Sequence, residues 1–262
     1  MKILKIISWR YRDFLQNKQI FSTASLIKYY IALLSGKKLM KVNVKGVKQP
    51  ILIRVKNKID RNVLMYVFFQ KYHLPPPEMQ LKNDAVILDF GSNIGCTMVD
   101  FKVRYPTAKV YGYEMHPNNF EIAKANICTL DGVKIYNEAV WTHKGFVSFS
   151  KKNLSDAFAI SKDTINENES INIPSVSIAD IIATNNLAAV DFIKMDIEGA
   201  ELDIFDHSDL NWLNKVLSMN IEFHNIDEIK LKQYINLLEQ YHFKVYKSPH
   251  HWLSLLAYKM AE

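Results

Sequence analysis

The spacing of apolar residues changes character along this chain, and the change divides it in two. Over residues 1–35 the apolar positions cluster in a way that suits helix, closed by Ser35-Gly36. Residues 3–15 form a short basic amphipathic stretch with Ile3, Ile6, Ile7, Phe14 and Leu15 apolar. Residues 38–44 and 51–55 alternate apolar with basic, which predicts two strands around a turn at Gly46. Residues 61–72 read as a helix that stops before His73-Leu74 and the Pro75-Pro76-Pro77 run, because proline excludes its predecessor from helix. That run marks the expected boundary between an appendage, residues 1–80, and a main domain, residues 81–262.

Beyond it, short apolar runs alternate with helical patterns. Strands are expected at 85–90, 109–113, 133–139, 192–197 and 216–223, with helices at 97–104, 118–130, 178–184, from 200 onward, and at 227–241. Residues 147–149 and 175–177 flank a polar stretch, 151–170, which reads as a mobile loop. Strands at 243–246 and 252–258 follow with no helix between them, so they should form an antiparallel hairpin. Strand–helix alternation of this kind predicts an α/β fold with a doubly wound, mostly parallel sheet.

Composition narrows the class without adding chemistry. The 262 residues are 48% apolar and 23% charged, ordinary for a globular protein, which excludes collagen-like, coiled-coil and disordered chains. Two cysteines, Cys96 and Cys128, are too few for a disulfide framework and point to a reducing, cytoplasmic compartment. Residues 20–34 are interrupted by Lys28, so no membrane span is expected, and the N-terminus lacks a secretory cleavage pattern. Charge is more telling. Residues 1–60 carry 14 Lys and Arg against Asp13 and Asp60, a net of +12. The remainder is net −6, within a total of +6. A basic head suits an anionic partner, and residues 1–40 could rest on the inner face of an anionic membrane; a solvated lysine-rich face is the plain alternative.

The candidate chemistry sits at strand ends. In Asp89-Phe90-Gly91-Ser92-Asn93-Ile94-Gly95 a buried strand is read to end at an aspartate and turn through glycines into a helix. Ligands of doubly wound sheets lie at such ends, and glycine admits close backbone approach. The pattern is not G-x-G-x-x-G, which disfavours a dinucleotide. Glu114, closing the next strand about 20 residues on, is placed to accept from ribose hydroxyls. In Val190-Asp191-Phe192-Ile193-Lys194-Met195-Asp196-Ile197-Glu198-Gly199, Lys194 and Asp196 share a face of a central strand. Such charges are costly to bury unless paired or used, so they are either a structural pair or the mouth of an active site. His224, after Asn220-Ile221-Glu222-Phe223, ends the neighbouring strand and is a candidate general base; alternatively Asp196, Glu222 and His224 hold a divalent metal.

LDFGSNIG, YGYE, VDFIKMDIEGAELDIF and MNIEFH, in this order and spacing, resemble the FkbM family of methyltransferases over residues 45–260, with KMDIEGAE the most specific block. PILIRV followed by Asp60 resembles the family's lead-in. One departure is local: members often have Glu-Pro at the second strand end, whereas Glu114 is followed by Met115-His116-Pro117. The resemblance implies a Rossmann-like seven-stranded fold, S-adenosylmethionine as methyl donor, and O-methylation of sugars or polyketide-type products. Asp89, Phe90, Gly91, Ser92 and Gly95 would then surround the methionine end of the cofactor, Glu114 the ribose, and Asn137 or Glu138 the adenine. Asp196, Glu198, Lys194 and His224 would form the catalytic end. The acceptor is expected to be a hydroxyl-bearing small molecule or glycan. Nucleic acid is disfavoured, because no Asn/Asp-Pro-Pro-Tyr/Phe motif follows the fourth strand. The rivals are a non-catalytic binder of anionic surfaces on the same scaffold and a methyltransferase acting on protein or nucleic acid.

Overall fold

The computed structural model describes residues 14–150, 170–249, 251 and 253–260. The stretch at 3–13 and nearly all of the loop expected at 151–170 lie outside the described residues.

The described part of the appendage begins with helical residues 14–20. The helix does not run on to 35 as expected. Phe21 bridges to Val44, and the Ser22 hydroxyl accepts from the Ser25 N–H, capping a new helix, α1 (Thr23–Ser35). Gly36 closes α1 in the left-handed region, φ 74°. Strands β1 (Leu39–Val42) and β2 (Ile51–Arg54) pair antiparallel. Helix α2 (Lys58–Leu64), capped by Asn57, continues into a π-helical turn, Met65–Gln70.

The main sheet comprises β3 (Val86–Phe90), β4 (Lys109–Tyr113), β5 (Val133–Tyr136), β9 (Phe192–Met195), β10 (Ser218–Glu222), β11 (Phe243–Lys247) and β12 (Ser254–Lys259). Its order is β11-β12-β10-β9-β3-β4-β5, and every pairing is parallel except those of β12. The terminal hairpin is therefore present, with its second strand inserted between β10 and β11. The connecting helices are α3 (Cys96–Arg104), α4 (Pro117–Ile127), α5 (Ile178–Thr184), α6 (Ala200–His207) and α7 (Glu228–Gln240). This is a Rossmann-like, doubly wound α/β fold.

The strand expected at 133–139 splits. The Asn137 side chain donates to the carbonyls of Glu114 and Met115, and the chain leaves the sheet there. β6 (Ala139–Val140) joins β7 (Gly145–Ser150) and β8 (Ser170–Val176) in a small separate sheet.

The appendage and the sheet share one core. Phe21, Val42, Ile51, Ile53 and Leu64 cluster with Ile87, Met98, Phe101 and Phe192. Burying each side chain of this size stabilises the fold by about 1.5–3 kcal/mol. Asn126 of α4 clasps β2 at both the N–H and the C=O of Leu52. The opposite face of the sheet carries a second cluster, including Leu88, Phe90, Ile193 and Phe223. No helix among the described residues is long and apolar enough to cross a membrane.

Candidate active site

The carboxyl ends of β3, β4, β9 and β10 open on a cavity of about 510 Å³, within the roughly 300–1,000 Å³ usual for ligand pockets. The strand-end turns form its floor. The appendage forms its far wall, through Arg54, Asn57, Ile59, Val63, Tyr66 and Tyr72.

β3 leaves the sheet at Gly91, φ 75°. The N–H groups of Gly91 and Ser92 both donate to the Tyr113 carbonyl, at 3.0 and 3.1 Å. A Cβ on Gly91 would stand 1.8 Å from the Asp196 carbonyl oxygen. Glycine is required here by the approach of the chain after β9, a reason for it that the sequence did not show, and Gly91 also lines the cavity. Gly95 caps α3 at φ 79°, where a Cβ would lie 3.2 Å from Ala123. It serves the packing of α3 on α4 and does not line the cavity. Phe90 points to the other face of the sheet, edge-on to Tyr113 at 5.8 Å. Asp89 is fully buried beneath the floor, accepts from the Thr97 hydroxyl, and has its Oδ1 3.8 Å from Lys194 Nζ. Burial pushes its pKa up. Of the five residues expected around the methionine end, Gly91 and Ser92 reach the cavity, joined by Asn93, while Asp89, Phe90 and Gly95 stand behind it.

Glu114 lies on the floor as expected. Its Oε2 accepts from the Asn93 N–H and its Oε1 from the His116 N–H, each at 2.8 Å. These bonds, with one from the Asn119 side chain, fix the carboxylate and leave it acceptor capacity for a ligand hydroxyl. Burial raises its pKa to about 7 despite these bonds. Met115, Val140, Ile59 and Val63 supply apolar wall nearby, so the donor set and surface suit a ligand bearing a diol and a flat ring. Asn137 is corrected: its amide is spent on the chain after β4, and Glu138 lines the cavity instead.

The last group gathers at the ends of β9 and β10. Lys194 is buried and does not reach the cavity. It donates to the carbonyls of Gly91 at 2.9 Å and Phe90 at 3.3 Å, and pairs with Asp196 Oδ2 at 3.2 Å. Burial lowers its pKa, but Asp196, Tyr72 and Asp89 outweigh that and keep it protonated. Lys194 thus ties two strand ends together, which corrects its expected catalytic placement. Asp196, Glu198 and Glu222 face the cavity. His224 does not line it. Its Nδ1 is 3.3 Å from Glu201, and its Nε2 lies 3.3 Å from Glu222, 3.5 Å from Glu198 and 3.8 Å from Asp196. Burial lowers its pKa, yet hydrogen bonds to Glu201 and Glu222 and the charge of Asp196 hold it at about 11. With its proton held so firmly, the imidazole is no ready general base. For a metal, the donors of Asp196, Glu198 and His224 lie within 4.8 Å of one another, so Glu198 takes the place expected for Glu222.

Several residues went unread in the sequence. The Tyr72 hydroxyl, from the appendage, donates to Asp196 Oδ2 at 3.4 Å, and burial drives its pKa well up. Arg54 lines the cavity, held on both oxygens of the fully buried Asp60 and on Asn119 Oδ1 at 2.8 Å. Glu201 accepts from the N–H groups of Ile197 and Gly199, shaping the turn that presents Asp196 and Glu198. His251 approaches Glu222 at 3.6 Å. Glu201 left a signal as an acid three residues after Glu198 at the start of a helix, and Arg54 lies in the PILIRV segment whose resemblance was noted without a role for it.

Comparison with known proteins gives the following. The profile described as the methyltransferase FkbM domain matches residues 89–260. The 2-O-methyltransferase NoeI of Sinorhizobium fredii is 26% identical over a stretch covering 51% of this chain and 61% of that protein, so the chain spans less than two thirds of that relative's length. Among solved structures, a human methyltransferase 10 domain containing protein superposes with a TM-score of 0.42 at 13% identity, covering 76% of this chain and 82% of that one. The precorrin-6y C5,15-methyltransferase of Geobacter metallireducens gives 0.39 at 12% identity, covering 70% and 84%.

Proposed function

This chain belongs to the FkbM family of methyltransferases, and from that premise we propose that it methylates a hydroxyl oxygen of a sugar, a glycan or glycolipid, or a related natural product. It is an S-adenosylmethionine-dependent methyltransferase. When bound, S-adenosylmethionine supplies an electrophilic methyl group on a sulfonium. The chain's own part is to hold, orient and deprotonate.

Glu114 accepts from the ribose hydroxyls, and the turn of Gly91, Ser92 and Asn93 offers backbone to the methionine end. Glu138 and the apolar wall at Val140 border the adenine. The observation that carries the hydroxyl reading is the carboxylate ledge of Asp196, Glu198 and Glu222, which shares one cavity with Glu114. An alcohol is a weak acid, so its proton must be taken up as the oxygen attacks. Asp196 is tied to Lys194 and Tyr72, and Glu222 to His224 and His251. Glu198 has one ion-pair contact among the described residues, with His224 at 3.5 Å, and is the ledge member placed to accept the proton. His224 and Glu201 hold the ledge in position. The name of the relative, a 2-O-methyltransferase, supports an oxygen acceptor.

The test is transfer of labelled methyl to a panel of glycans and hydroxylated natural products. Glu198→Gln should lower the rate about 10²–10⁴-fold with cofactor affinity unchanged. Transfer to nitrogen or carbon, or a fully active Glu198→Gln enzyme, would overturn this reading. A second reading of the same ledge is that Asp196, Glu198 and His224 hold a divalent cation, favoured by their 4.8 Å clustering. Loss of activity with a chelator and its return with Mg²⁺ would select that reading.

A further inference from the structure

The appendage has a second surface, away from the cavity, that methyl transfer does not use. On α1, Ile27, Ile31 and Leu34 fall within one arc of the helix by their spacing and are 58%, 59% and 90% exposed. Beside them lies an open groove with Ala32, Met40 and Leu52 at its base and Lys28, Lys37 and Lys41 among its lining residues. Leu39, at the edge of β1, is also exposed. Residues 14–59 contain ten Lys and Arg and no Asp or Glu. Large apolar side chains presented in this way to water are unusual on a monomer and mark a docking face.

We propose that α1 and β1 form a docking face for an anionic lipid bilayer. Ile27, Ile31 and Leu34 enter the boundary between headgroups and acyl chains, and Lys28, Lys37 and Lys41 meet the headgroup phosphates. The charge selects this occupant. A second copy docking by this same face would set lysines against lysines. A nucleic acid would satisfy the lysines and leave the apolar stripe in water. A bilayer satisfies both at once. The proposal stands apart from the choice of acceptor, because none of these side chains lines the cavity except through the strand they share: Leu52 in the groove precedes Arg54 in the cavity wall by two residues.

The experiment is co-sedimentation of the full chain with vesicles of phosphatidylglycerol mixed with phosphatidylcholine, and of phosphatidylcholine alone, over a range of salt. The wild type should pellet with the mixed vesicles and release as salt rises. Lys28→Glu, Lys37→Glu and Lys41→Glu should each weaken binding about fivefold or more. The triple variant Ile27→Ser, Ile31→Ser, Leu34→Ser should lose roughly tenfold or more even at low salt, with unchanged melting temperature and cofactor affinity. No pelleting with the anionic vesicles at low salt would overturn the proposal. So would a serine variant that binds like wild type, which would indicate adsorption to any polyanion. A wild-type dimer that the serine variant dissolves, without vesicle binding, would assign the face to a second copy.

Discussion

At the scale of single residues, the site depends on side chains whose roles follow from what lies one strand away. Gly91 is the plainest case. Its Cβ would meet the Asp196 carbonyl oxygen at 1.8 Å, whereas at Gly46, also at positive φ, nothing lies within 4 Å. Gly46→Ala should therefore cost only backbone strain, about 1–2 kcal/mol. Gly91→Ala must in addition displace the chain after β9, and should cost at least ~2 kcal/mol more, read by chemical denaturation of the two variants. Equal losses would show that β9 does not approach as described. Glu114 makes a second prediction. Its ordinary pKa of 4.5 is raised to about 7 by burial, so in the ligand-free protein the folded state keeps a proton between these values that the unfolded state has lost. Its contribution to stability grows as pH falls through that window. Hydroxyl binding needs the ionised form, so cofactor affinity should drop roughly tenfold per pH unit below 7 and level off above it. Calorimetry across pH should show this for the wild type and a flat, weaker profile for Glu114→Gln. The sequence showed Lys194 and Asp196 on one strand face, because a period of two is local. It could not show that Lys194 turns inward to the Gly91 carbonyl or that His224 is ringed by four carboxylates, since those partners come from other strands.

At the scale of elements, nearly every strand and helix was legible, because buried parallel strands read as short apolar runs and helices by their period. What escaped were events decided by contact. The 133–139 run breaks because Asn137 bonds the chain leaving β4. β12 inserts beside β10, a pairing that no local pattern specifies. The hairpin of β1 and β2 was legible, but its delivery of Arg54 to the cavity depends on Asp60, whose carboxylate also accepts from the Arg54 N–H at 2.8 Å. Asp60→Ala strips a buried acceptor from both. Because Arg54 is partly exposed and can turn to water, the expected loss is about 2–3 kcal/mol rather than the full cost of a broken buried pair. Unfolding in denaturant measures it, and cofactor affinity should weaken as well. An unchanged midpoint would mean that Arg54 holds its place without Asp60.

At the scale of the whole molecule, the boundary drawn at the proline run separates two patterns in the sequence that the fold joins. The appendage shares a hydrophobic core with β3, α3 and β9 and walls the cavity opposite the strand ends. Its basic composition was legible; its place as a wall was not, because the contact of Tyr72 with Asp196 spans 124 positions of chain. The cavity is thus confined between strand ends that supply charge and an appendage that supplies enclosure. The central claim is that a single cavity holds both, with Glu114 at the ribose and the Asp196–Glu198–Glu222 ledge at the methyl acceptor. The most direct measurement is a crystal structure with S-adenosylhomocysteine. The ribose hydroxyls should lie within hydrogen-bond distance of both Glu114 oxygens, with the sulfur facing the ledge. A nucleoside bound away from Glu114, or a sulfur turned from Asp196, Glu198 and Glu222, would contradict it.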